Sequence, residues 1–286
     1  MILGVFTVCM PEYDISETVK VIKELGYDGV EWRVSTPAPQ DKREDYTYET
    51  RYWCYNKSTL DIGSIEAEAE KAKALCDEYG IKLYSLTTYL KPCDVQDIEK
   101  VLKAAAKINC PNIRVFSPNY DEKEGYRVLF DRTVEETKVL EKLAQKYGVR
   151  INFEIHMGNI IPSASAAYRF ASHFDPKHIG IIFDPGNMVH EGFENYRLGL
   201  ELLGDYLAYV HVKNAVWSME YSSEEGAEKW KPKWSPLKKG YADLKKLFEV
   251  LKDLGYNGYV SLEDFTNEVD TYSKLKNNAE YLRALT

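Results

Sequence analysis

Several features that mark other classes of protein are missing from this sequence. No apolar run approaches about 18 residues, so we expect no segment that spans a membrane. The five cysteines are scattered, odd in number and never spaced as a CxxC pair, which argues against a thiolate zinc site and predicts reduced thiols in a cytoplasmic protein. Positive charge is also scarce, with 37 Lys and Arg residues against 45 Asp and Glu residues. A basic surface supplies most of the affinity for nucleic acid, so the net charge of −8 predicts that none is bound.

A glycine-rich nucleotide-binding turn is missing as well. The early glycines, Gly4, Gly26 and Gly29, do not form the GxGxxG pattern that is typical of a doubly wound open sheet. Instead, eight short apolar stretches alternate with helical segments, and no change of composition separates them. Such alternation predicts parallel strands joined by helical crossovers, and eight units predict a closed (β/α)₈ barrel. We therefore expect one α/β TIM-barrel domain over residues 1–286, with the open sheet as the alternative.

The stretch VRINFEIHMG, residues 149–158, shows how one predicted strand divides its side chains. Three apolar side chains alternate with those of Asn152, Glu154 and His156. Because successive strand side chains point to opposite faces, this strand has one apolar face and one polar face.

Three later stretches repeat the pattern. In GIIFDPGN, AYVHVKN and GYVSLED the apolar residues occupy alternate positions, and Asp184, His211 and Glu263 occupy positions of the opposite set. A surface strand would alternate in the same way, but one strand face of a barrel meets the helices while the other points into the lumen. The polar side chains of all four strands should therefore converge at the C-terminal mouth, where barrel enzymes place their chemistry.

Buried charged groups are destabilising unless they are paired, hydrogen-bonded or bound to a metal. Glu154 and the three later residues would together carry a charge of about −3 at neutral pH, which one divalent ion would largely offset. A salt-bridge network would instead need several cations, for which the sequence offers mainly Arg33, Arg114 and Lys213. Three carboxylates and one imidazole, without a thiolate, favour a single Mn²⁺, Mg²⁺, Co²⁺ or Zn²⁺ ion.

Such a metal site predicts chemistry on a carbohydrate. Four protein ligands leave room for two substrate oxygens, and the adjacent carbonyl and hydroxyl oxygens of a keto sugar would fill these positions. The ion would polarise the carbonyl and stabilise the enediolate that forms when the neighbouring carbon loses its proton. Glu154 and Glu263 would flank the substrate, one removing the proton and the other returning it, as in an isomerase or epimerase.

The segments EIHMGN, FDPGNMVHEG, YVHVKNA and GYNGYVSLEDF resemble the xylose isomerase-like barrel superfamily, over essentially the whole chain. That superfamily contains sugar and sugar phosphate isomerases and epimerases, and the endonuclease IV-type AP endonucleases. The resemblance implies that Glu154, Asp184, His211 and Glu263 are the metal ligands. It also implies that the two glutamates are the acid–base pair, as in the ketose 3-epimerase-like branch.

The chain departs from these relatives at two places. Asn187 stands where many members have a histidine, and Lys213 and Asn214 follow His211 where the ketose epimerases often have an arginine. The AP endonucleases need further histidines for a three-zinc cluster, but the strand ends SLTTYL and VFSPNY and residues 214–240 contain none, which disfavours DNA repair. The remaining alternatives are an inosose dehydratase-like enzyme, a keto-glycoside lyase and a non-catalytic sugar-binding barrel.

Five further residues are candidates for substrate binding, namely His156, Asn187, Lys213, Arg114 and Glu31. A solvated rim histidine is the alternative for His156, and a structural charge pair is the alternative for Lys213 and Arg114. For Glu31 we favour a salt bridge with Arg33 on the same strand face.

Two long connections, at about residues 35–62 and 214–239, follow the second and seventh strands and are rich in Tyr and Trp. Their aromatic rings can cover a sugar at the barrel mouth, or they can form subunit contacts in a homo-oligomer. We expect no chemical role for the three other histidines, His173, His178 and His190.

Overall fold

The computed structural model describes residues 1–39, 44–222 and 226–286. The strands, in chain order, are β1 (Ile2–Phe6), β2 (Gly29–Ser35), β3 (Leu60–Asp61), β4 (Lys82–Thr87), β5 (Asn112–Val115), β6 (Arg150–Glu154), β7 (Ile179–Phe183), β8 (Leu207–Val212), β9 (Asn214–Ser222), β10 (Ala227–Ser235) and β11 (Tyr259–Leu262). The helices are α1 (Ile15–Glu24), α2 (Thr50–Trp53), α3 (Ile65–Tyr79), α4 (Val95–Lys107), α5 (Tyr126–Tyr147), α6 (Ala164–Ala171), α7 (Pro185–His190), α8 (Tyr196–Leu203), α9 (Leu244–Asp253) and α10 (Thr271–Leu285).

Eight parallel strands form a closed barrel, which confirms the predicted (β/α)₈ fold. Around the barrel the order is β1, β2, β4, β5, β6, β7, β8 and β11, and β1 closes the ring by pairing with both β2 and β11. The apolar strand parity packs against the surrounding helices in one continuous core. No helix in the described parts of the chain is long and apolar enough to cross a membrane.

The two long connections differ from each other in structure. The first contains the short helix α2 and the short strand β3, whereas most of the second forms an antiparallel ribbon of β9 and β10. Residues 40–43 and 223–225 of these connections lie outside the described residues. The strand β10 is difficult to predict from the sequence because it contains Pro232. Proline lacks a backbone hydrogen-bond donor and is disfavoured inside strands.

Two tyrosines fill the N-terminal part of the barrel lumen. Tyr84 and Tyr209 are fully buried, and their ring centres lie 5.8 Å apart. Gly29 gives Tyr84 its space, because a Cβ at that position would lie 3.0 Å from the tyrosine ring. Above this tyrosine floor, the Tyr209 hydroxyl donates to Glu31 Oε1 at 2.8 Å, so the apolar floor supports a polar layer directly below the mouth.

Candidate metal centre

The structure brings the four predicted metal ligands together at the C-terminal ends of their strands. Glu154 ends β6, Asp184 follows β7, His211 lies in β8 and Glu263 follows β11. All four side chains are buried, and one ligand atom from each lies within 4.8 Å of those of the others. The four residues meet because polar and apolar side chains alternate along each strand, and the polar side chains of all four strands face the lumen of the closed barrel.

Glu31 determines which nitrogen of His211 faces the other ligands. Its Oε2 atom lies 2.8 Å from His211 Nε2 and accepts a hydrogen bond from Ser261 at 2.7 Å, while Oε1 accepts from Thr87 at 2.5 Å. The charge and hydrogen bond of His211 lower the pKa of Glu31 although burial opposes its ionisation, so this carboxylate stays an acceptor. Because Glu31 therefore accepts the Nε2 hydrogen, Nδ1 is the nitrogen that is available to a metal.

This arrangement shows that the expected Glu31–Arg33 salt bridge is wrong. Arg33 lies one step closer to the mouth, where its guanidinium donates to Thr59 Oγ1 and to the Trp53 carbonyl at 2.7 Å. Glu31 is fully buried and contacts the His211 ring, a position from which it can orient this candidate ligand; its contact with a substrate stays a prediction.

Replacing Glu31 with Gln tests this orientation. We expect Glu31→Gln to lower metal affinity by about 10- to 100-fold, because the amide no longer holds the Nε2 hydrogen of His211 as an anion does. Competition with a chromophoric chelator measures the affinity. Ser261→Ala removes one donor to Glu31 but keeps its carboxylate, and should have the smaller effect; equal affinities of Glu31→Gln and wild type would contradict this role.

Three carboxylate oxygens converge on one point. Atoms Glu154 Oε1, Asp184 Oδ2 and Glu263 Oε2 lie 3.2, 3.6 and 3.8 Å from His211 Nδ1. The Lys213 ammonium lies among the same three atoms, 2.9 Å from Asp184 Oδ2, 3.6 Å from Glu154 Oε1 and in direct contact with Glu263 Oε2. A cation therefore already occupies the position to which these ligands point.

The donor set fits a divalent metal ion. Three carboxylates and an imidazole nitrogen are ligands of Mn²⁺, Mg²⁺, Co²⁺ and Zn²⁺. When His211 is neutral, as a metal-bound imidazole must be, the four carboxylates of Glu31, Glu154, Asp184 and Glu263 carry two more charges than Arg114 and Lys213 neutralise, which matches the charge of one such ion. Asp184 Oδ2 is buried and faces the Lys213 ammonium at 2.9 Å, so this oxygen is directed at a cation.

Arg114 and Asn187 hold Glu154 from two sides. The Arg114 guanidinium contacts Glu154 Oε2 and donates twice to the Thr88 carbonyl at 3.2 Å, so it makes the structural pair that was the alternative to anion binding. Asn187 Nδ2 donates to Glu154 Oε1 at 2.9 Å, and its backbone N–H donates to Asp184 Oδ1 at 2.9 Å. Asn187 thus connects two of the candidate ligands.

The surroundings of the two glutamates shift their pKa values in opposite directions. Burial opposes ionisation of Glu154, but Arg114, Lys213 and His211 outweigh it and lower the pKa of Glu154 well below its usual value. Burial raises the pKa of Glu263, and Lys213 only partly offsets this. For His211, burial disfavours the imidazolium, but Glu31 and Glu154 outweigh it and raise its pKa well above the usual value.

His156 lies at the rim, as its position after Glu154 suggested. Its side chain is partly exposed, its ring centre is 4.7 Å from that of Phe116, and its Nδ1 atom is 2.7 Å from the Met157 carbonyl. Burial lowers the pKa of His156, so the ring is neutral at neutral pH and can both donate and accept a hydrogen bond.

Gly186 allows α7 to pack closely on β8 beside the site. A Cβ at this position would lie 2.8 Å from the Lys213 carbonyl oxygen and would also meet the Lys213 side chain. We expect Gly186→Ala to destabilise the fold by about 1–3 kcal/mol through overpacking, measured by urea denaturation. Gly125→Ala is the control, because nothing lies within 4 Å of its Cβ position and only its helix N-cap preference should count, less than about 1 kcal/mol. Equal losses would contradict the close approach.

A cavity of 590 Å³ adjoins this cluster at the mouth of the barrel. Its wall includes Trp53 from the first long connection, Trp234 from β10 and Phe265, which follows Glu263 by two residues. His190, for which the sequence predicts no chemical role, also lies on this wall, with its ring centre 4.3 Å from that of Trp234. The aromatic content of the connections predicted part of this wall, but nothing in the sequence marks His190 or Phe265 as neighbours of Trp234.

Comparison with known proteins agrees with this architecture. An inosose dehydratase from Geobacillus thermodenitrificans is 24% identical over 172 residues, which are 57% of this chain and 57% of the dehydratase. A 2-oxo-tetronate isomerase from Haemophilus influenzae is 22% identical over 220 residues, 68% of this chain and 77% of the isomerase. The crystal structure of the E. coli 3-keto-D-glucoside 4-epimerase YcjR, in its apo form, has a TM-score of 0.73 at 20% identity, over 99% of both chains.

These likenesses are low in identity, and the alignment spans little more than half of the dehydratase, so they support the fold rather than one activity. The family described as xylose isomerase-like TIM barrel matches residues 19–285, nearly the whole chain. With the closed barrel and the ligand cluster at its mouth, the match shows that this chain belongs to the xylose isomerase-like TIM barrel family.

Proposed function

We propose that the protein is a divalent-metal-dependent isomerase or epimerase of a carbohydrate. The observation that carries the proposal is the convergence of three carboxylate oxygens and His211 Nδ1 on one buried point at the barrel mouth. The names of the three relatives add support, because a 2-oxo-tetronate, an inosose and a keto-glucoside are all polyhydroxy compounds that carry a keto group.

The cluster residues have distinct roles in this proposal. Glu154, Asp184, His211 and Glu263 would hold the ion. When bound, the ion supplies a Lewis acid that polarises a substrate carbonyl and acidifies the neighbouring carbon. Glu154 and Glu263 are the acid–base pair that removes and returns the proton.

Of the two glutamates, Glu263 is the freer to take a proton. Both oxygens of Glu154 are engaged, because Oε2 contacts Arg114 and Oε1 accepts from Asn187. Among the described residues, Glu263 receives a side-chain hydrogen bond from Lys213 alone, through Oε2. Its Oε1 atom is therefore the one we assign to proton removal, while Asn187 and Arg114 keep Glu154 in position.

Substrate hydroxyls would meet side chains at the rim of the cluster. His156 is partly exposed there, and Lys213 becomes available to a substrate oxygen once an ion replaces its ammonium among the carboxylates. Both side chains can donate to a hydroxyl or carbonyl oxygen, which is the role we propose for them.

Hydrogen exchange in D₂O tests the proposed function. The protein, loaded in turn with Mn²⁺, Mg²⁺, Co²⁺ and Zn²⁺, is incubated with a panel of keto sugars and inososes, and the products are examined by NMR and mass spectrometry. We expect deuterium at the carbon beside the carbonyl, with loss of exchange after chelation. Equal exchange with and without chelator, or no exchange across the panel, would contradict the proposal.

Dehydration is the second candidate, and Lys213 favours it. Its ammonium lies within the ligand cluster and can protonate a hydroxyl as it leaves the carbon next to the deprotonated one. The similarity to an inosose dehydratase points the same way. In the D₂O experiment this reaction would give an unsaturated product and loss of water, rather than a deuterated sugar.

A further inference from the structure

The cavity beside the metal centre has an aromatic floor. Trp53, Phe265 and Trp234 form a continuous row, with ring centres 5.2 Å apart for the first pair and 5.8 Å for the second. His190 extends the row beyond Trp234. The Trp53 side chain is 44% exposed, so its ring is accessible to a ligand.

The same rings form one wall of the metal centre. The Lys213 Nζ atom lies 5.2 Å from the Trp234 ring centre and 5.7 Å from that of Phe265, and this ammonium sits among the ligand carboxylates. Trp234 and Phe265 therefore line the cavity and also border the cluster. A ligand whose reacting carbon reaches the cluster would extend past Phe265 and Trp234 into this cavity.

The size of the cavity exceeds what one sugar ring needs. Its 590 Å³ falls within the range of about 300–1,000 Å³ that accommodates drug-sized ligands, which have roughly twice the atoms of a hexose. The flat C–H face of a pyranose, like the face of an aromatic ring, packs well on Trp and Phe side chains.

The charges on the cavity wall select against an anionic ligand. The charged side chains among the described lining residues are Glu49, Glu268 and Lys233. Lys233 lies 3.4 Å from Glu220 and Glu268 lies 3.0 Å from Lys239, so these two pairs largely cancel and Glu49 adds a negative charge. Burial lowers the pKa of His190 to about 4, so its imidazole adds no positive charge at neutral pH. In the described part of the chain its Nε2 atom is buried without a hydrogen-bond partner, and it would gain one from a ligand hydroxyl.

We infer that this cavity is a subsite for a second, uncharged ring, so that the substrate is a keto-glycoside rather than a free keto sugar or a sugar phosphate. This inference rests on the proposed function, because the metal centre supplies the reacting end of the same ligand. The second ring would stack on Trp53 and Phe265, and it can be either a sugar or an aromatic aglycone.

Binding of unreactive glycosides tests the subsite without requiring any chemistry. Tryptophan fluorescence and calorimetry would compare phenyl β-D-glucoside, cellobiose and methyl β-D-glucoside. We expect the first two to bind about tenfold more tightly than the methyl glycoside, which lacks a second ring. Tighter binding of phenyl β-D-glucoside alone would identify an aromatic aglycone, and tighter binding of cellobiose alone a second sugar.

Two variants locate the effect. Trp53→Ala should remove about tenfold of the affinity for the two-ring ligands and leave metal affinity unchanged. Trp230→Ala is the matched control, because this half-exposed tryptophan on the same ribbon as Trp234 does not line the cavity. Equal binding of all three glycosides, equal effects of the two variants, or stronger binding of glucose 6-phosphate would overturn the inference.

Failure of the subsite and failure of the proposed function give different results. Tight, Trp53-dependent binding without deuterium exchange on any keto-glycoside would reject the enzyme and retain the subsite. Deuterium exchange that is equally fast on free keto sugars and on keto-glycosides would retain the enzyme and overturn the subsite.

Discussion

Replacing Glu263 with Gln is expected to slow deuterium exchange by about 10²- to 10⁴-fold, because the amide cannot accept the substrate proton. The substitution keeps the size of the side chain and one oxygen atom that can still face the ion. Its effect on exchange should therefore exceed its effect on metal content, which elemental analysis of the purified variant measures.

Two comparisons make this result specific. Glu66→Gln removes an exposed carboxylate that pairs with Lys103 and Lys107 on the surface, and should leave exchange unchanged. Glu154→Gln should lose both exchange and metal, because Glu154 is buried against Arg114 and held as a ligand. Exchange at the wild-type rate in metal-loaded Glu263→Gln would remove Glu263 from the chemistry.

Replacing Lys213 with Met should destabilise the metal-free protein by about 3–5 kcal/mol, since it leaves buried carboxylates without their counter-charge. The metal-bound protein should lose much less, because an ion would then neutralise the same oxygens. Metal should therefore raise the melting temperature of Lys213→Met far more than that of wild type. Its metal affinity should also increase, as no ammonium competes for the position.

Arg114→Met distinguishes direct competition between the Lys213 ammonium and the metal ion from a general effect of removing one positive charge. Arg114 is equally buried but contacts Glu154 Oε2, outside the point on which the other oxygens converge. If Lys213 competes directly with the ion, metal affinity should rise in Lys213→Met and not in Arg114→Met. A similar rise in both variants would show that only the overall charge matters, and weaker metal binding by Lys213→Met would make Lys213 a supporting residue of the site.

The barrel and its four candidate ligands could be predicted because both depend on local regularities. Period-two alternation identifies the lumen face of each strand, and the last polar residue of a strand must lie near the mouth once the strands are parallel. Glu154, Asp184, His211 and Glu263 therefore follow from the sequence without knowledge of which strands are neighbours.

The partners of these residues could not be predicted in the same way. Glu31 and Arg33 share a strand face, but the height at which each meets other side chains depends on the stagger between strands around the barrel. That stagger places Glu31 against His211, two-thirds of the chain away, and Arg33 against the first long connection. The position of Lys213 depends on the combined field of three carboxylates, which no single segment reveals.

The tyrosine floor determines how a metal ion can enter and leave the cluster. Tyr84 and Tyr209 pack beneath Glu31 and close the base of the barrel, so in the described part of the chain an ion would share the route through the mouth with the sugar. A bound sugar would block the exit of the ion. A chelator should therefore remove the metal ion more slowly as the concentration of substrate approaches saturation.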